Sequence, residues 1–383
     1  MFDFAVFGAT GMQGRIVSRD LLENGYSVLL CGRDKKRVEK ILKKYKNSDF
    51  EYLEMSNVPR AVKILKKYRI NVVVNCIEAD WNLQATDACL RAKAHYIDLG
   101  WEIWMTEKQL AMNGDFKKAG LTSITGCGSV PGVGNIMLNY AAKKLDKLDS
   151  VDVGFAWNSN IKKFVVPFSI QSIIEEFTDP APVIENGKII DKTPMATVID
   201  TRHNKIGDQK EFFVRHPETS TFNYYFKSKG LKNIHFYAGF PPHSFSAIKT
   251  LIDLGLGRKD YIEYKKKKIK PVEFLTEVLK DLNFPAGYME KENLWIKLSG
   301  WKGGKKKTIL MECIVPTLEG WEDAGCNIDT GMPASIMAQM VKTGVIQERG
   351  SFAPEKIVPP EEFFKELKKR KMAVFENGRR INF

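Results

Sequence analysis

Gly8-Ala9-Thr10-Gly11-Met12-Gln13-Gly14 follows a short apolar run at 4–7 and opens an amphipathic stretch over 12–24. The three glycines have the spacing G-x-x-G-x-x-G, a variant of the dinucleotide fingerprint. Glycine is needed because a side chain in this turn would hold a pyrophosphate away from the backbone N–H groups and the positive end of the helix. A glycine trio alone is a weak signal, and its surroundings decide the reading. Residues 27–31, 50–54, 71–76, 96–99 and 122–125 read as further buried strands, with helices at 35–46, 59–68, 83–94 and 105–119 between them. That alternation predicts an α/β fold, a doubly wound parallel sheet of the Rossmann type. The Gly- and Pro-rich stretch 126–134 punctuates it and marks the first boundary.

Beyond the boundary the pattern changes to longer strands and turns, with strands expected at 151–157, 212–214, 234–237, 294–299 and 308–315. This predicts an α+β second domain. Helical periodicity returns at 333–343 and 360–370, before a strand-like end at 372–375. No repeat or low-complexity linker separates the parts, so they are expected to pack around a shared cleft.

The 383 residues are 44% hydrophobic and 27% charged, which excludes disordered and fibrous classes. No apolar run approaches the length of a membrane span. Residues 1–7 lack the basic leader and cleavage site of a secretory signal, so a cytoplasmic protein is expected. Cys31, Cys76, Cys89, Cys127, Cys313 and Cys326 contain no C-x-x-C pair and read as free thiols. A net charge of +13 admits acidic partners, yet the lysine runs 265–268 and 305–307 lack interleaved aromatics. They read as solvated faces, and no specific nucleic-acid site is expected.

After the second strand, Cys31-Gly32-Arg33-Asp34 stands where the adenosine ribose is read. The Arg33 guanidinium suits a 2′-phosphate, which favours NADP. Asp34 keeps NAD as the alternative, or caps the helix that follows. Asn75-Cys76-Ile77-Glu78 ends the fourth strand near the expected nicotinamide ribose, and Asp98-Leu99-Gly100-Trp101-Glu102 ends the fifth. Strand ends of this kind gather ligands, so Asp98, Trp101 and Glu102 are candidates to face nicotinamide and substrate. The loop from Cys127 through Gly128, Ser129, Val130, Pro131 and Gly132 precedes a helix and offers N–H groups to a ligand, but Ser129 lacks the G-x-S-x-G spacing of a hydrolase nucleophile. No histidine pair has metal-site spacing, so no metal is expected. His243, in a proline-stiffened loop, is the histidine singled out for proton transfer.

Taken together, these motifs resemble the saccharopine dehydrogenase/saccharopine reductase-like oxidoreductases, a group that includes lysine 6-dehydrogenase and carboxynorspermidine dehydrogenase. Matching stretches are the glycine turn, Tyr96-Ile97-Asp98-Leu99-Gly100, residues 119–135, 248–257, 330–340 and 344–355. The resemblance implies a Rossmann domain, residues 1–128 and about 323–383, completed by returning C-terminal helices. An α+β substrate and dimerisation domain, about 129–322, is inserted between them. It implies hydride transfer between NAD(P) and a C–N bond of an amino acid or amino-acid-derived imine, as in lysine metabolism, and a homodimer. By motif position, Gly8, Thr10, Gly11, Met12, Gln13, Gly14, Arg33 and Asp34 would bind cofactor, with Cys76, Ile77, Asp98 and Leu99 near its nicotinamide half. Gly100, Trp101, Cys127, Gly128 and Ser129 would flank the substrate. Asp98 or Glu102 would steady an iminium cation, and His243 would move the proton. Relatives carry an arginine near Tyr237-Ala238-Gly239 that would hold a substrate carboxylate, and none stands there in this chain. Arg215 is the candidate substitute, and the departure counts against saccharopine itself. The competing expectation is a non-catalytic Rossmann protein that keeps a nucleotide as sensor or scaffold.

Overall fold

The computed structural model describes residues 1–166, 169–279, 282 and 285–383. The first six strands are β1 (Phe4–Phe7), β2 (Val28–Gly32), β3 (Ser48–Tyr52), β4 (Val72–Asn75), β5 (His95–Asp98) and β6 (Thr122–Ile124). There follow β7 (Lys147–Ser159), β8 (Ala181–Glu185), β9 (Lys188–Lys192), β10 (Ile199–His203), β11 (Gly207–Phe213) and β12 (Asn233–Phe240). The remainder are β13 (Ile262–Tyr264), β14 (Lys267–Ile269), β15 (Glu290–Lys302), β16 (Lys305–Pro316), β17 (Gly350–Phe352), β18 (Ala373–Glu376) and β19 (Arg379–Arg380).

A seven-stranded sheet of order β17-β6-β5-β4-β1-β2-β3 forms the first domain, with every pairing parallel. β1 is apolar throughout and β4 is apolar up to Asn75, because both faces of the sheet are covered. Phe4 and Val6 enter a core cluster on one face, while Ala5 and Phe7 enter a separate one on the other. Strand order reverses between β1 and β4, and a ligand crevice is expected where their carboxyl ends part.

The second domain is a mixed ten-stranded sheet, β10-β11-β12-β7-β15-β16-β18-β19, with β8 paired to β12 and β9 to β8. β7 pairs parallel to β12 and antiparallel to β15. One core cluster runs from Phe4 and Val6 through Ile136 and Leu138 to Leu294 and Ile296, so the two domains share packed interior.

Strand pairing refines the division expected at about residue 323. The returning chain first supplies helix Ile328–Lys342, which packs on helix Met12–Glu23, and then β17, which pairs with β6. β18 and β19 instead leave the Rossmann unit and extend the mixed sheet beyond β16. A bidentate Arg370–Asp20 pair, at 2.8 and 2.7 Å, ties this tail to the first helix.

Candidate functional site

Gly8 adopts φ +71°, and a Cβ there would lie 2.7 Å from the Cys76 carbonyl oxygen. This contact is how the turn after β1 closes against the end of β4. At Gly14 a Cβ would meet the Gly8 carbonyl oxygen at 2.1 Å, so helix and turn touch backbone to backbone. Gly11 differs, since its Cβ would meet only the Gly8 carbonyl oxygen, at 3.3 Å. It is the N-cap of helix Met12–Glu23, and no side chain caps the first-turn N–H groups. An uncapped helix start behind an open glycine is a cradle for a phosphate, and the residues present fit a dinucleotide.

The side of the turn where the sequence leads one to expect the adenosine is basic. Arg33 is exposed at the end of β2, and Arg37 lies close enough to Arg15 for the two cations to repel, which with burial lowers the Arg15 pKa. Arg15 itself donates to the Thr10 carbonyl oxygen at 3.0 Å. Neither Arg15 nor Arg37 was singled out from the sequence, because helical positions give no sign of which turn they will face. Asp34 accepts from the Lys36 N–H at 3.0 Å and caps the turn Lys35–Val38. The capping role that the sequence left open to it is thus present.

From the glycine turn a cavity of about 470 Å³ opens between the domains. The Rossmann side contributes Gly11, Met12, Gln13, Cys76, Ile77, Leu99, Gly100, Trp101, Gly128 and Ser129, all of them expected ligand neighbours. The opposite side contributes Phe155, Trp157, Glu176, His216, Glu290 and Glu292, and the returning helix adds Asp329 and Thr330. None of these eight was singled out from the sequence as a site residue: Phe155 and Trp157 alternate on β7 and Glu290 and Glu292 on β15, but only tertiary packing brings these elements to one wall.

Five of the expected catalytic and substrate residues lie outside this cavity. Asp98 is 1% exposed and does not line the cavity. It accepts from Tyr96 Oη (2.9 Å), Gln109 Nε2 (2.6 Å), Thr125 Oγ1 (3.0 Å) and the Gly126 N–H (2.9 Å), which leaves it no free face for nicotinamide or an iminium. Glu102, 8% exposed, accepts from Arg215 Nη2 at 2.7 Å across the two domains. Arg215, engaged in that pair, lines a smaller depression that adjoins the main cavity and shares Trp101, Glu176 and His216 with it. His243 sits in the first turn of helix Pro242–Asp253, outside both openings, where burial and nearby Lys162 lower its pKa. Cys127 is fully buried, its N–H bonded to the Asp98 carbonyl oxygen at 2.8 Å, so it supports the substrate loop from behind.

His216 is the histidine that lines the cavity. It lies against Phe236 with ring centroids 3.9 Å apart, and Glu218 engages its Nδ1 at 2.9 Å. A carboxylate on one ring nitrogen fixes the tautomer and leaves Nε2 to handle a proton.

Behind the Gly128–Ser129 loop, Asn135 accepts from the Gly132 N–H and donates to Glu355 at 2.8 Å in each case. Glu355 is 3% exposed, and burial pushes its carboxyl up to about 7 from an ordinary 4.5. A folded pKa above the unfolded one means that the native state holds the extra proton. The stabilisation is full below about 4.5 and fades as pH rises toward 7. Glu355→Gln is therefore expected to flatten the pH dependence of urea unfolding, removing on the order of 1–3 kcal/mol of the loss across that window. Identical slopes in wild type and variant would contradict the assignment.

Residues 4–124 match the saccharopine dehydrogenase NADP binding domain, and residues 128–372 match the saccharopine dehydrogenase C-terminal domain. The chain belongs to the saccharopine dehydrogenase family. It is 26% identical over 375 residues to carboxyaminopropylagmatine dehydrogenase of Synechocystis sp., covering 92% of each chain. It is 23% identical over 351 residues to carboxynorspermidine synthase of Vibrio alginolyticus, covering 86% of this chain and 84% of the relative. Its fold matches apo saccharopine dehydrogenase (L-Glu forming) from Saccharomyces cerevisiae with a TM-score of 0.79 and 15% identity, over 98% of this chain and 99% of the other. Family membership accounts for the order of the matching stretches from the glycine turn to Glu355. Among the described residues, no helix is long and apolar enough to cross a membrane.

Proposed function

We propose that the chain is an oxidoreductase that uses NADP, with NAD as the alternative, to transfer hydride to or from a C–N bond of an amino-acid-derived amine or imine. The observation that carries this reading is the single cavity shared by the glycine turn, the ends of β4 and β5, and the inner wall of the second domain. Relatives of this chain are named for carboxy-substituted amines, which supports chemistry at an amine carbon.

When bound, the nicotinamide supplies or takes the hydride at the substrate carbon. Gly11, Met12 and Gln13 hold the pyrophosphate at the helix start, and Cys76, Ile77 and Leu99 bound the nicotinamide half. Gly100, Trp101, Gly128 and Ser129 wall the reacting carbon from water and orient it. Reduction of an imine also needs a proton at nitrogen, and oxidation of an amine releases one. His216 Nε2, steadied through Nδ1 by Glu218, is the group placed to carry that proton.

The test is titration with NADPH and with NADH by fluorescence, followed by NADPH oxidation on mixtures of keto acids or semialdehydes with amines. Tight NADPH binding with turnover supports the reading. Binding without turnover on any mixture would favour the sensor, and failure of both nucleotides to bind would overturn it. Arg33→Ser is expected to weaken NADPH binding about 10- to 100-fold and leave NADH unchanged, because only the 2′-phosphate loses a charge-assisted partner. Equal losses for both nucleotides would remove Arg33 from the recognition of that phosphate.

A further inference from the structure

Glu355 is a buried acid to which the hydride chemistry above gives no part. It stands on the short helix Pro354–Ile357 and lines neither opening. Its Oε2 accepts from Asn135, whose Oδ1 in turn holds the Gly132 N–H, beyond Gly128 and Ser129 in the same loop. That ties Glu355 to one wall of the cavity. It also meets helix Glu218–Phe226, because the Ala353 N–H donates to Tyr225 Oη at 3.4 Å and the Thr221 hydroxyl favours the Glu355 anion. Glu218 at the start of that helix is fully buried and is the acid that engages His216 Nδ1.

Each of the two acids has an oxygen left over. Glu218 Oε1 and Glu355 Oε1 are both shielded from solvent and have no hydrogen-bond partner, and the Glu218 charge lies close enough to oppose ionisation of Glu355. Two carboxylates buried within reach of each other cannot both ionise cheaply, so the pair keeps a proton. Glu218 opens a nine-residue helix and faces an imidazole, two influences that favour its anion. The proton therefore falls to Glu355.

We infer that Glu355 is a positioning residue for proton transfer: through Glu218 it sets how tightly His216 holds its proton, and through Asn135 it joins that histidine to the Gly128–Ser129 wall. The inference rests on the proton role given to His216 above. While Glu355 keeps its proton, His216 faces a single anion in Glu218. When Glu355 ionises, a second negative charge joins the first and holds the imidazolium to higher pH. Burial places that ionisation at about 7, within the range where histidines exchange protons. Tyr225 and Cys127, the other titratable groups that interact with Glu355, are pushed up by burial and remain neutral there. Arg215, Glu175, Glu176 and Asp179 share the smaller depression with His216, and they are the same in a Glu355 variant, as are the acids of the main cavity. A comparison of wild type with Glu355→Gln therefore isolates one charge.

The experiment is a pH titration of the five histidines by NMR in protein carrying isotope-labelled histidine, with the His216 signal assigned from His216→Gln. In Glu355→Gln, His216 is expected to lose its proton about 0.5–1 pH unit below wild type. The alkaline limb of kcat/KM for imine reduction is expected to move down with it. Thr221→Val removes the hydroxyl that favours the Glu355 anion, so both readings are expected to move in the same direction by less. That variant carries the test if Glu355→Gln folds poorly, and NADPH affinity checks folding in each. An unmoved His216 titration in a folded Glu355→Gln would overturn the inference. So would turnover that falls equally at every pH with its limbs in place, the mark of a carboxyl kept for shape alone. A His216 shift in a protein that turns over no imine would keep the link to Glu355 and overturn the oxidoreductase reading instead.

Discussion

Gly11→Leu is expected to weaken NADPH binding by about 100-fold or more while leaving the thermal midpoint within about 2 °C of wild type. The two effects separate because Gly11 is the one glycine of the turn whose Cβ the protein itself tolerates. The Cβ meets only the Gly8 carbonyl oxygen, at 3.3 Å, and the backbone there is extended at φ −77°, ψ 173°. Any residue adopts that conformation, so the backbone dihedrals are not strained, and the 3.3 Å approach asks only a small shift of the Gly8 carbonyl. Beyond Cβ, however, the leucine branches occupy the space in front of the uncapped first-turn N–H groups. A pyrophosphate pushed back by a side chain loses both those donors and the positive end of the helix, which act only at short range. Gly14→Ala is the contrasting case, since its Cβ would sit 2.1 Å from the Gly8 carbonyl oxygen and the turn itself must move. Fluorescence titration paired with a melting curve reads both quantities. NADPH binding unchanged in Gly11→Leu would place the cofactor somewhere other than this turn.

The parallel sheet was legible because strands buried on both faces are short, continuous and Val-rich, and because each is followed by a helix of the opposite period. The apolar run at 4–7 is β1 without adjustment, and 71–76 overlaps β4 closely. The mixed sheet was legible only at its buried centres. The expected strand 308–315 is the apolar middle of β16, whose hydrogen bonding continues through the exposed lysines 305–307. Apolar patterning reports burial, and a ladder outlasts burial at its tips. β9 is exposed along nearly its whole length and gave no signal at all. The helix expected over 105–119 is two, Ile103–Ala111 and Asn113–Ala119, joined at Met112.

The site divides in the same physical way. Residues on the Rossmann side were found because a cofactor imposes spacing on the loops that meet it, and those loops are local in sequence. Glu176, His216, Glu290 and Asp329 come from separate elements of the chain, and only tertiary packing brings them to one wall. His243 drew attention through its flanking prolines, which stiffen a helix start rather than a cleft. His216 had the plainer setting Arg215-His216-Pro217-Glu218, and its nearby acid was the available sign.

Asp98 tests most sharply the difference between a strand-end acid that reacts and one that holds the site together. Asp98→Ala is expected to lower stability by about 3–5 kcal/mol, or roughly 10 °C in thermal midpoint. The mutation strands the Gly126 N–H and takes the shared acceptor from Gln109 Nε2, Tyr96 Oη and Thr125 Oγ1, which are left with their second contacts to Thr86 Oγ1, the Asn82 carbonyl oxygen and Gln109 Oε1. Each buried donor left unmet carries a penalty of about 1–3 kcal/mol, and partial rearrangement recovers some of the total. Gly126 lies at the start of the loop that carries Gly128 and Ser129 to the cavity, so the loss spreads from the sheet to the substrate wall. Asp98→Asn keeps the shape but turns one acceptor into a donor facing donors, so a smaller fall in the same direction follows. A reacting carboxylate would behave otherwise: its alanine variant would melt like wild type, bind NADPH normally and lose turnover alone. Urea unfolding and NADPH titration on the two variants separate these outcomes, and a stable, inactive Asp98→Ala would return Asp98 to the reaction.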